Sequence, residues 1–348
     1  MRKGQNPAKF AKTVAKPERV TVAVLNYIPF LSGFYSEALD VLKVSLETMR
    51  NDPGLPFDLM IFDNGSCPEV RDWLIGEKEA GRIQYLVLSE KNMGKGGAWN
   101  IILAGAPGEI IAYADSDILY YPGWLARSVE LLETFPKVGM VTARPFRTNP
   151  EYHTSTREWA TQNAALEEGQ FIPWENFWEF NRSLGQDETE NRKVYAETVD
   201  WKIPLPAGGR VGGAVTGLDT PVTNTVPGYS TLEQGRRTET TAYAGASHWQ
   251  FVAYKSTLAQ FLPFDMDKPM GQVKQLDQRM NAAGYLRLMV SDPLVMNLSN
   301  TTDYVKGVYA KGQPAAQRPG LVKRLIQFAP IKKALLAVYD QIFKWYYS

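Results

Sequence analysis

Residues 109–117 read Glu-Ile-Ile-Ala-Tyr-Ala-Asp-Ser-Asp. A short apolar run that includes isoleucines and stops abruptly at polar residues is how a buried strand reads in sequence. The same reading recurs upstream at Arg19–Leu25, Phe57–Phe62 and Ile83–Leu88, and downstream at Val138–Arg144. Helical signals fill the gaps. Ser36–Arg50 carries Leu39, Leu42, Leu46 and Met49 at helical spacing and stops at Asp52-Pro53-Gly54. Pro68–Lys78 opens on proline in its first turn, and Gly94–Ala104 and Gly123–Phe135 follow. Strands that alternate with helices predict an α/β fold with a mostly parallel, doubly wound sheet and right-handed crossovers. Ligands of such sheets bind outside the carboxyl ends of the strands, so the polar residues that follow each strand are where chemistry is expected.

The chain beyond residue 145 reads differently. Residues 146–245 hold Trp159, Trp174, Trp178 and Trp201, then a Gly/Thr/Pro-rich stretch from Pro206 to Gly235 with little periodicity, which predicts an irregular insertion with a long loop or lid. Regular signals resume with Ala246–Tyr254 (strand), Lys255–Leu262 and Gly271–Ala283 (helices), Tyr285–Val290 (strand) and Leu294–Leu298 (strand). The tail from Leu321 to Tyr347 places Ile331, Leu335, Val338, Ile342 and Trp345 on one helical stripe. The expected organisation is a basic flexible tail at 1–18, one large domain at 19–305, and a basic amphipathic helical tail at 306–348. The domain divides into 19–145, the insertion 146–245 and 246–305.

Composition narrows the function. The chain has 348 residues, 44% hydrophobic and 22% charged, and a formal charge of +1, so neither wholesale disorder nor a uniform field toward nucleic acid is expected. One cysteine, Cys67, excludes an internal disulfide and a cysteine-based zinc cluster. Two histidines, His153 and His248, exclude a site of three histidines. With no secretory signal and no long apolar run, a cytoplasmic location is the default. The charge is uneven: residues 306–348 hold eight of the 38 Lys/Arg and one of the 37 acids, which leaves net −6 elsewhere.

The strand ends collect a distinctive set. Asn26 and Tyr27 follow the first strand, Asp63-Asn64-Gly65-Ser66 the second, Ser89–Gly97 (SEKNMGKGG) the third, and Asp115-Ser116-Asp117 the fourth. Two carboxylates one residue apart at a strand end can share a divalent cation, and hard cations such as Mg2+ or Mn2+ take oxygen ligands. The competing role of Asp115 and Asp117 is to cap the next helix. Asp265-Met266-Asp267, a second copy of the spacing, reads as a turn. Asp63 could accept hydrogen bonds from a nucleobase or a ribose, or cap the turn before Pro68. Lys95, between Gly94 and Gly96, could reach a phosphate at a helix start, or stand in solvent.

Together these motifs resemble the nucleotide-sugar-binding half of family 2 glycosyltransferases of the GT-A fold. The resemblance rests on Val22–Leu25, Asp63-Asn64-Gly65-Ser66, Asn92-Met93-Gly94 leading to Asn100, Ala114-Asp115-Ser116-Asp117 and Pro122-Gly123-Trp124-Leu125. It covers residues 19–145 closely and 246–300 loosely. It implies inverting transfer of a sugar from a nucleoside diphosphate sugar, a UDP- or GDP-sugar, with Mn2+ or Mg2+ as cofactor. Asn26, Asp63, Asn92, Lys95, Asp115 and Asp117 would bind the donor, and Asp117 with Asp115 the metal. The family's general base lies in an acidic pair on a helix of the second half, where this chain has Leu276-Asp277, so Asp277 is the expected base. Many members place a histidine near the last strand as a further metal ligand. Met296-Asn297 stands there, so a neutral amide takes that place or the metal lacks that ligand.

The residues around Asp277 argue for the same role on separate grounds. Val273, Leu276 and Met280 form the buried stripe of their helix and Asp277 lies at its edge, where partial desolvation would raise its basicity. The alternative is an ion pair with Lys274. His248 and Trp249 are expected on the acceptor side, and the insertion is expected to shape an acceptor lid, with 246–305 as the acceptor half. The acceptor would be a saccharide or a lipid-linked glycan. Lys323, Arg324, Lys332, Lys333 and Lys344 beside Phe328, Ile342, Phe343 and Trp345 suit a peripheral contact of residues 321–348 with an anionic membrane on its inner face. The alternatives are a sugar-1-phosphate nucleotidyltransferase and a non-catalytic nucleotide- or carbohydrate-binding protein of the same fold. The first would carry a glycine-rich, arginine-containing loop where Asn26-Tyr27-Ile28-Pro29-Phe30 stands.

Overall fold

The computed structural model describes residues 5–52, 54–205, 240–267 and 273–305. In chain order its elements are β1 (Val20–Asn26), α1 (Ala38–Arg50), β2 (Phe57–Asp63), α2 (Pro68–Glu79), β3 (Tyr85–Leu88), α3 (Gly94–Gly105), β4 (Ile110–Asp115), β5 (Ile118–Tyr120), α4 (Trp124–Thr134) and β6 (Val138–Thr142). Then come α5 (Thr154–Asn163), β7 (Glu167–Gly169), α6 (Trp174–Ser183), α7 (Glu188–Glu197), β8 (Asp200–Leu205), β9 (Thr240–Ala244), β10 (Gln250–Tyr254), α8 (Lys255–Leu258), α9 (Val273–Ala282), β11 (Leu286–Val290) and β12 (Val295–Asn297).

One sheet runs in the order β3-β2-β1-β4-β10-β6-β11-β9-β8-β7. From β3 to β4 every pairing is parallel. Beyond β4 the sheet is mixed: β10 is antiparallel to both neighbours, β11 is parallel to β6, and β9, β8 and β7 add antiparallel strands. The parallel half is parallel because each return passes through a helix, and a parallel neighbour needs such a crossover. The antiparallel additions, β7 to β10, all come from residue 167 onward.

Register decides what the sheet presents. Asn26 of β1 stands opposite Asp63 of β2, and Leu25 stands opposite Asp115 of β4. The carboxyl ends of three strands therefore stop at one rim. Because β10 runs the other way, with Gln250 opposite Ala114, the residues just before Gln250 reach the same rim.

Strands β1, β4 and β6 are buried on both faces, which is why they read as continuous apolar runs. Val22 and Val24 face one layer with Leu42 and Leu46 of α1, while Ala23 and Leu25 face the other with Trp99 and Ile102 of α3. Trp99 is fully buried and packs edge-on against Tyr113, Phe251 and Phe264 with centroids 5.3, 6.1 and 5.4 Å away. Such aromatic contacts contribute about 0.5–1.5 kcal/mol each beyond the area they bury.

The described part of the insertion is more regular than its sequence suggests. Residues 154–197 form three helices, and β8 pairs β9 across the stretch read as a loop. The tryptophans there mostly pack: Trp159 against Phe135, Trp201 against His153, and Trp174 stacked on Trp178 with ring planes 3° apart. The glycine-rich stretch and the C-terminal amphipathic helix expected from Leu321 to Tyr347 lie outside the described residues. Among the described residues no helix is long and apolar enough to cross a membrane.

Candidate active site

The rim begins with a closed turn after β2. Asp63 is fully buried. Its Oδ1 accepts from Asn26 Nδ2 at 2.8 Å and its Oδ2 from the Ser66 N–H at 3.0 Å, while the Ser66 hydroxyl donates to Oδ1. The capping role weighed for Asp63 is thus the one its hydrogen bonds display. Asn26 is equally buried, and its Oδ1 has no hydrogen-bond partner. Gly65 makes the turn possible: its φ is +87°, and a Cβ there would stand 3.0 Å from the backbone of Lys91 and Asn92.

A second loop leans on the first. Asn64 accepts from the Met93 N–H at 2.9 Å and donates to Asn92 Oδ1 at 2.9 Å, and Asn92 Oδ1 also accepts from the Gly94 N–H at 2.8 Å. Asn92 therefore shapes the entry to α3. Asn100, one and a half turns on, is exchanged with the second half of the chain: it donates to the Phe264 carbonyl at 2.9 Å and accepts the Phe264 N–H at 2.6 Å. The second acidic pair is elsewhere: Asp265 is exposed and accepts from Gln275, as a turn would.

Lys95 departs from its expected solvent or phosphate position. Its side chain is buried and its Nζ donates to both oxygens of Asp115 at 2.7 Å. It also lies 5.5 Å and 5.6 Å over the rings of Trp99 and Tyr113. The Tyr113 hydroxyl donates to Asp115 Oδ1 at 2.6 Å. A lysine taken out of water needs a carboxylate, and Asp115 is the one within reach. Tyr113 was not among the expected site residues, although its place two residues before Asp115 puts both side chains on one side of the strand.

Asp117 is the less compensated carboxylate. Its Oδ2 accepts from Asn297 Nδ2 at 3.3 Å, while Oδ1 is shielded from solvent and has no partner. Burial first, and the Asp115 charge second, push its carboxyl up to about 7. Asn297 comes from β12, which pairs β5 with Asn297 opposite Ile118. Asn297 Oδ1 accepts the Ser299 N–H at 2.8 Å, so the amide turns its NH2 toward Asp117. A divalent cation would find one open donor here, Asp117 Oδ1, and would share Asp115 with Lys95. The unpartnered oxygen of Asp117 and the carboxylate of Asp115 share one rim, and hard cations use one or two carboxylates with water and phosphate oxygens. No cluster of three or more His, Cys, Asp or Glu side chains gathers among the described residues, so protein groups would leave positions to those ligands.

Asp277 and His248 form the other side. Asp277 is buried and its Oδ1 is bound by Arg287 Nη2. Arg287, itself 1% exposed, also donates to the carbonyls of Ala246 at 2.8 Å and Tyr152 at 2.7 Å. Burial lowers the affinity of its guanidinium for the proton and Asp277 opposes that. Arg287, rather than Lys274, is the ion-pair partner. A lone arginine inside the apolar strand Leu286–Val290 was the sequence signal that a buried carboxylate must face it. His248 Nδ1 lies 3.7 Å from Asp277 Oδ2. Trp249, the other residue expected on the acceptor side, has its ring turned inward, stacked on Phe180 at 5.5 Å and beside Phe146 at 5.8 Å. Its carbonyl accepts the Asp115 N–H at 2.9 Å, which joins this side of the site to the end of β4.

Comparison with known proteins finds likeness mainly in the first half of the chain. Residues 33–193 match the sequence profile of Glycosyl transferase family 2. An uncharacterized glycosyltransferase of Nostoc sp. is 33% identical over 122 residues, 35% of this chain and 34% of that protein. Among solved structures, a mannosyltransferase from Pyrobaculum calidifontis in complex with GDP-Man and Mn2+ is similar over 80% of this chain and 58% of its own, with 16% identity and a TM-score of 0.41. S. aureus TarS 1-349 in complex with UDP is similar over 80% and 59%, with 13% identity and a TM-score of 0.40. The chain spans about a third of the Nostoc protein and under two thirds of these two structures. The span that matches the Glycosyl transferase family 2 profile, residues 33–193, contains Asp63, Asn92, Lys95, Asp115 and Asp117.

Proposed function

We propose that this chain is a metal-dependent, inverting glycosyltransferase that moves a sugar from a UDP- or GDP-sugar to an acceptor hydroxyl of a saccharide or lipid-linked glycan. The observation that carries the reading is the unpartnered, buried oxygen of Asp117 beside the Asp115–Lys95 pair, on the carboxyl rim of a parallel sheet. Asp117 and Asp115 would hold Mn2+ or Mg2+, and such an ion, when bound, offsets charge on a departing diphosphate. Asn26, Asp63 and Asn92 support the nucleoside end, where the turn at Gly65 would have to yield the Asp63 contact to a base or ribose. Lys95 fixes the first carboxylate and supplies a positive charge near the phosphates. Asp277 and His248 stand across the end of β4, where an acceptor hydroxyl must lose its proton. The fold's remaining parts fit the same division: 19–145 for the donor, 246–305 for the acceptor, and 146–245 as its lid.

The basic tail belongs to this reading as a peripheral contact with the inner face of a membrane in the cytoplasm, which would bring a lipid-linked acceptor near. Release of nucleoside diphosphate from a panel of UDP-, GDP- and dTDP-sugars, with Mn2+ and then with chelator, tests the function. Turnover of one donor that stops in chelator is expected. Binding of donors without turnover under any acceptor would instead indicate a non-catalytic binding protein. Condensation of a sugar 1-phosphate with a nucleoside triphosphate would indicate a nucleotidyltransferase.

A further inference from the structure

The proton acceptor on the acceptor side can be assigned more closely, granting the transferase reading above. Asp277 is poorly placed to take a proton from a substrate. It is buried, one oxygen is bound to Arg287, and the other faces His248. With one oxygen taken by a buried guanidinium and the other turned to the imidazole, neither is open to a substrate hydroxyl. His248 has the opposite setting. Ala246, Ser247, Trp249 and Gln250 around it are all buried, whereas the His248 side chain keeps 33% of its surface open. The loop that carries it is fixed at several points. The Ser247 N–H donates to Thr142 Oγ1 at 2.8 Å, the Ala246 carbonyl accepts from Arg287, and the Trp249 carbonyl accepts the N–H of Asp115. Arg287 thus ties Asp277 and the histidine loop to one guanidinium, and the last contact seats that loop against the strand end that carries Asp115.

We infer that His248, which faces Asp277, is the group that removes the acceptor proton, and that Asp277 is a positioning residue acting through it. Nδ1 is the nitrogen on the Asp277 side, 3.7 Å from Oδ2 and just beyond hydrogen-bond length, so a small closing of that gap in the working complex would direct its proton to Oδ2 and leave Nε2 as the basic nitrogen. In the transfer step Nε2 takes the hydroxyl proton of the acceptor. The acceptor oxygen forms its bond to the anomeric carbon, and the bond from that carbon to the phosphate oxygen breaks, its electron pair leaving with the nucleoside diphosphate. The imidazolium so formed faces Asp277, and it later returns its proton to water. The charged groups around His248 are Asp277 from α9, Arg287 from β11 behind that carboxylate, and the Asp115–Lys95 pair at the adjoining end of β4. One carboxylate facing the ring suits a base that must carry positive charge briefly.

The test combines a spectroscopic and a kinetic measurement on the full chain. With only His153 and His248 present, both imidazoles can be followed by nitrogen-15 NMR, and His153→Gln assigns them. His248 is expected in the Nδ1–H tautomer in the parent protein, and this preference is expected to be lost in Asp277→Asn. With the donor found by the panel and its acceptor, or water where hydrolysis is the only turnover, His248→Gln is expected to lower kcat about 10²- to 10⁴-fold. Donor KM should hold, and the rise of kcat/KM with pH should flatten. Asp277→Asn should lower kcat while keeping that rise but shifting it. The Nε2–H tautomer at His248 would overturn the positioning role of Asp277. A His248→Gln enzyme with parental kcat would overturn the base role alone. A parent protein inert on every donor would overturn it together with the transferase reading. His248 is partly exposed, so its glutamine variant should fold; should Asp277→Asn fail to fold, the tautomer in the parent and the His248→Gln kinetics still decide.

Discussion

At the residue scale, burial decides what each charged group can do. His153 is the clearest case, being 1% exposed with no partner at Nδ1 among the described residues. Burial first, and the charges of Arg287 and Arg157 next, push its imidazole from 6.5 down to about 3. The unfolded chain therefore binds a proton below pH 6.5 that the folded chain refuses until about pH 3. This residue costs stability as pH falls through that window, by up to about 1.4 kcal/mol per pH unit, and is silent above it. Thermal melts between pH 7 and pH 4 should fall less steeply in His153→Gln than in the parent; equal slopes would contradict the assignment. Arg287 makes a second case. Replacing it with methionine leaves Asp277 buried without its cation and should cost about 3–5 kcal/mol, read as a lower denaturant midpoint. The sequence showed Asp277 but not this pairing, because the partner lies on the next strand and pairing depends on how α9 lies on β11. Only the lone arginine among apolar residues hinted at it.

At the scale of elements, two turns and one aromatic cluster position the rim. Gly65 holds a left-handed φ against the backbone of residues 91 and 92. Gly65→Ala combines that conformation with a close backbone contact, and should cost about 1–3 kcal/mol and weaken nucleotide binding, both readable in one calorimetric titration and melt. Asp52 plays a part its neighbours conceal. It reads as the end of α1, yet its carboxylate accepts from the N–H groups of Gly54, Gly123 and Leu125, which caps α4 from a distance. Asp52→Ala should cost about 0.5–2 kcal/mol. The alternation of strands and helices from residue 19 to residue 145 was legible to within a few residues, since buried parallel strands and amphipathic helices impose opposite periodicities. The three-residue strands β5, β7 and β12 were harder. Leu294–Leu298 was expected as the last short strand, but β5 and β7 are too short to show a period. Their pairing comes from long-range partners such as Ile118 with Asn297. Helix α6 was obscured by aromatic residues that pack in several directions, and α7 by its lack of an apolar stripe.

At the scale of the whole molecule, the proposed donor side lies in the family-matched segment and the inferred proton acceptor lies outside it, joined through Trp249 and Asp115. The rim itself was legible, because polar residues after apolar strands must end at one edge of a parallel sheet. The closed state of Asp63 and the Lys95–Asp115 pair was not, since both depend on side-chain contacts across loops. The basic tail makes a separate prediction. Changing Lys323, Arg324, Lys332, Lys333 and Lys344 to glutamate in the full chain should abolish flotation with phosphatidylserine vesicles and leave neutral vesicles unaffected; retained flotation would remove the membrane contact. The most direct measurement of the central claim is calorimetric binding of UDP and GDP in Mn2+ to the parent protein and to Asp117→Asn. One nucleotide should bind the parent, with binding lost in chelator and in the variant while the variant's melting curve stays cooperative. Unchanged binding by a folded Asp117→Asn protein would contradict the account.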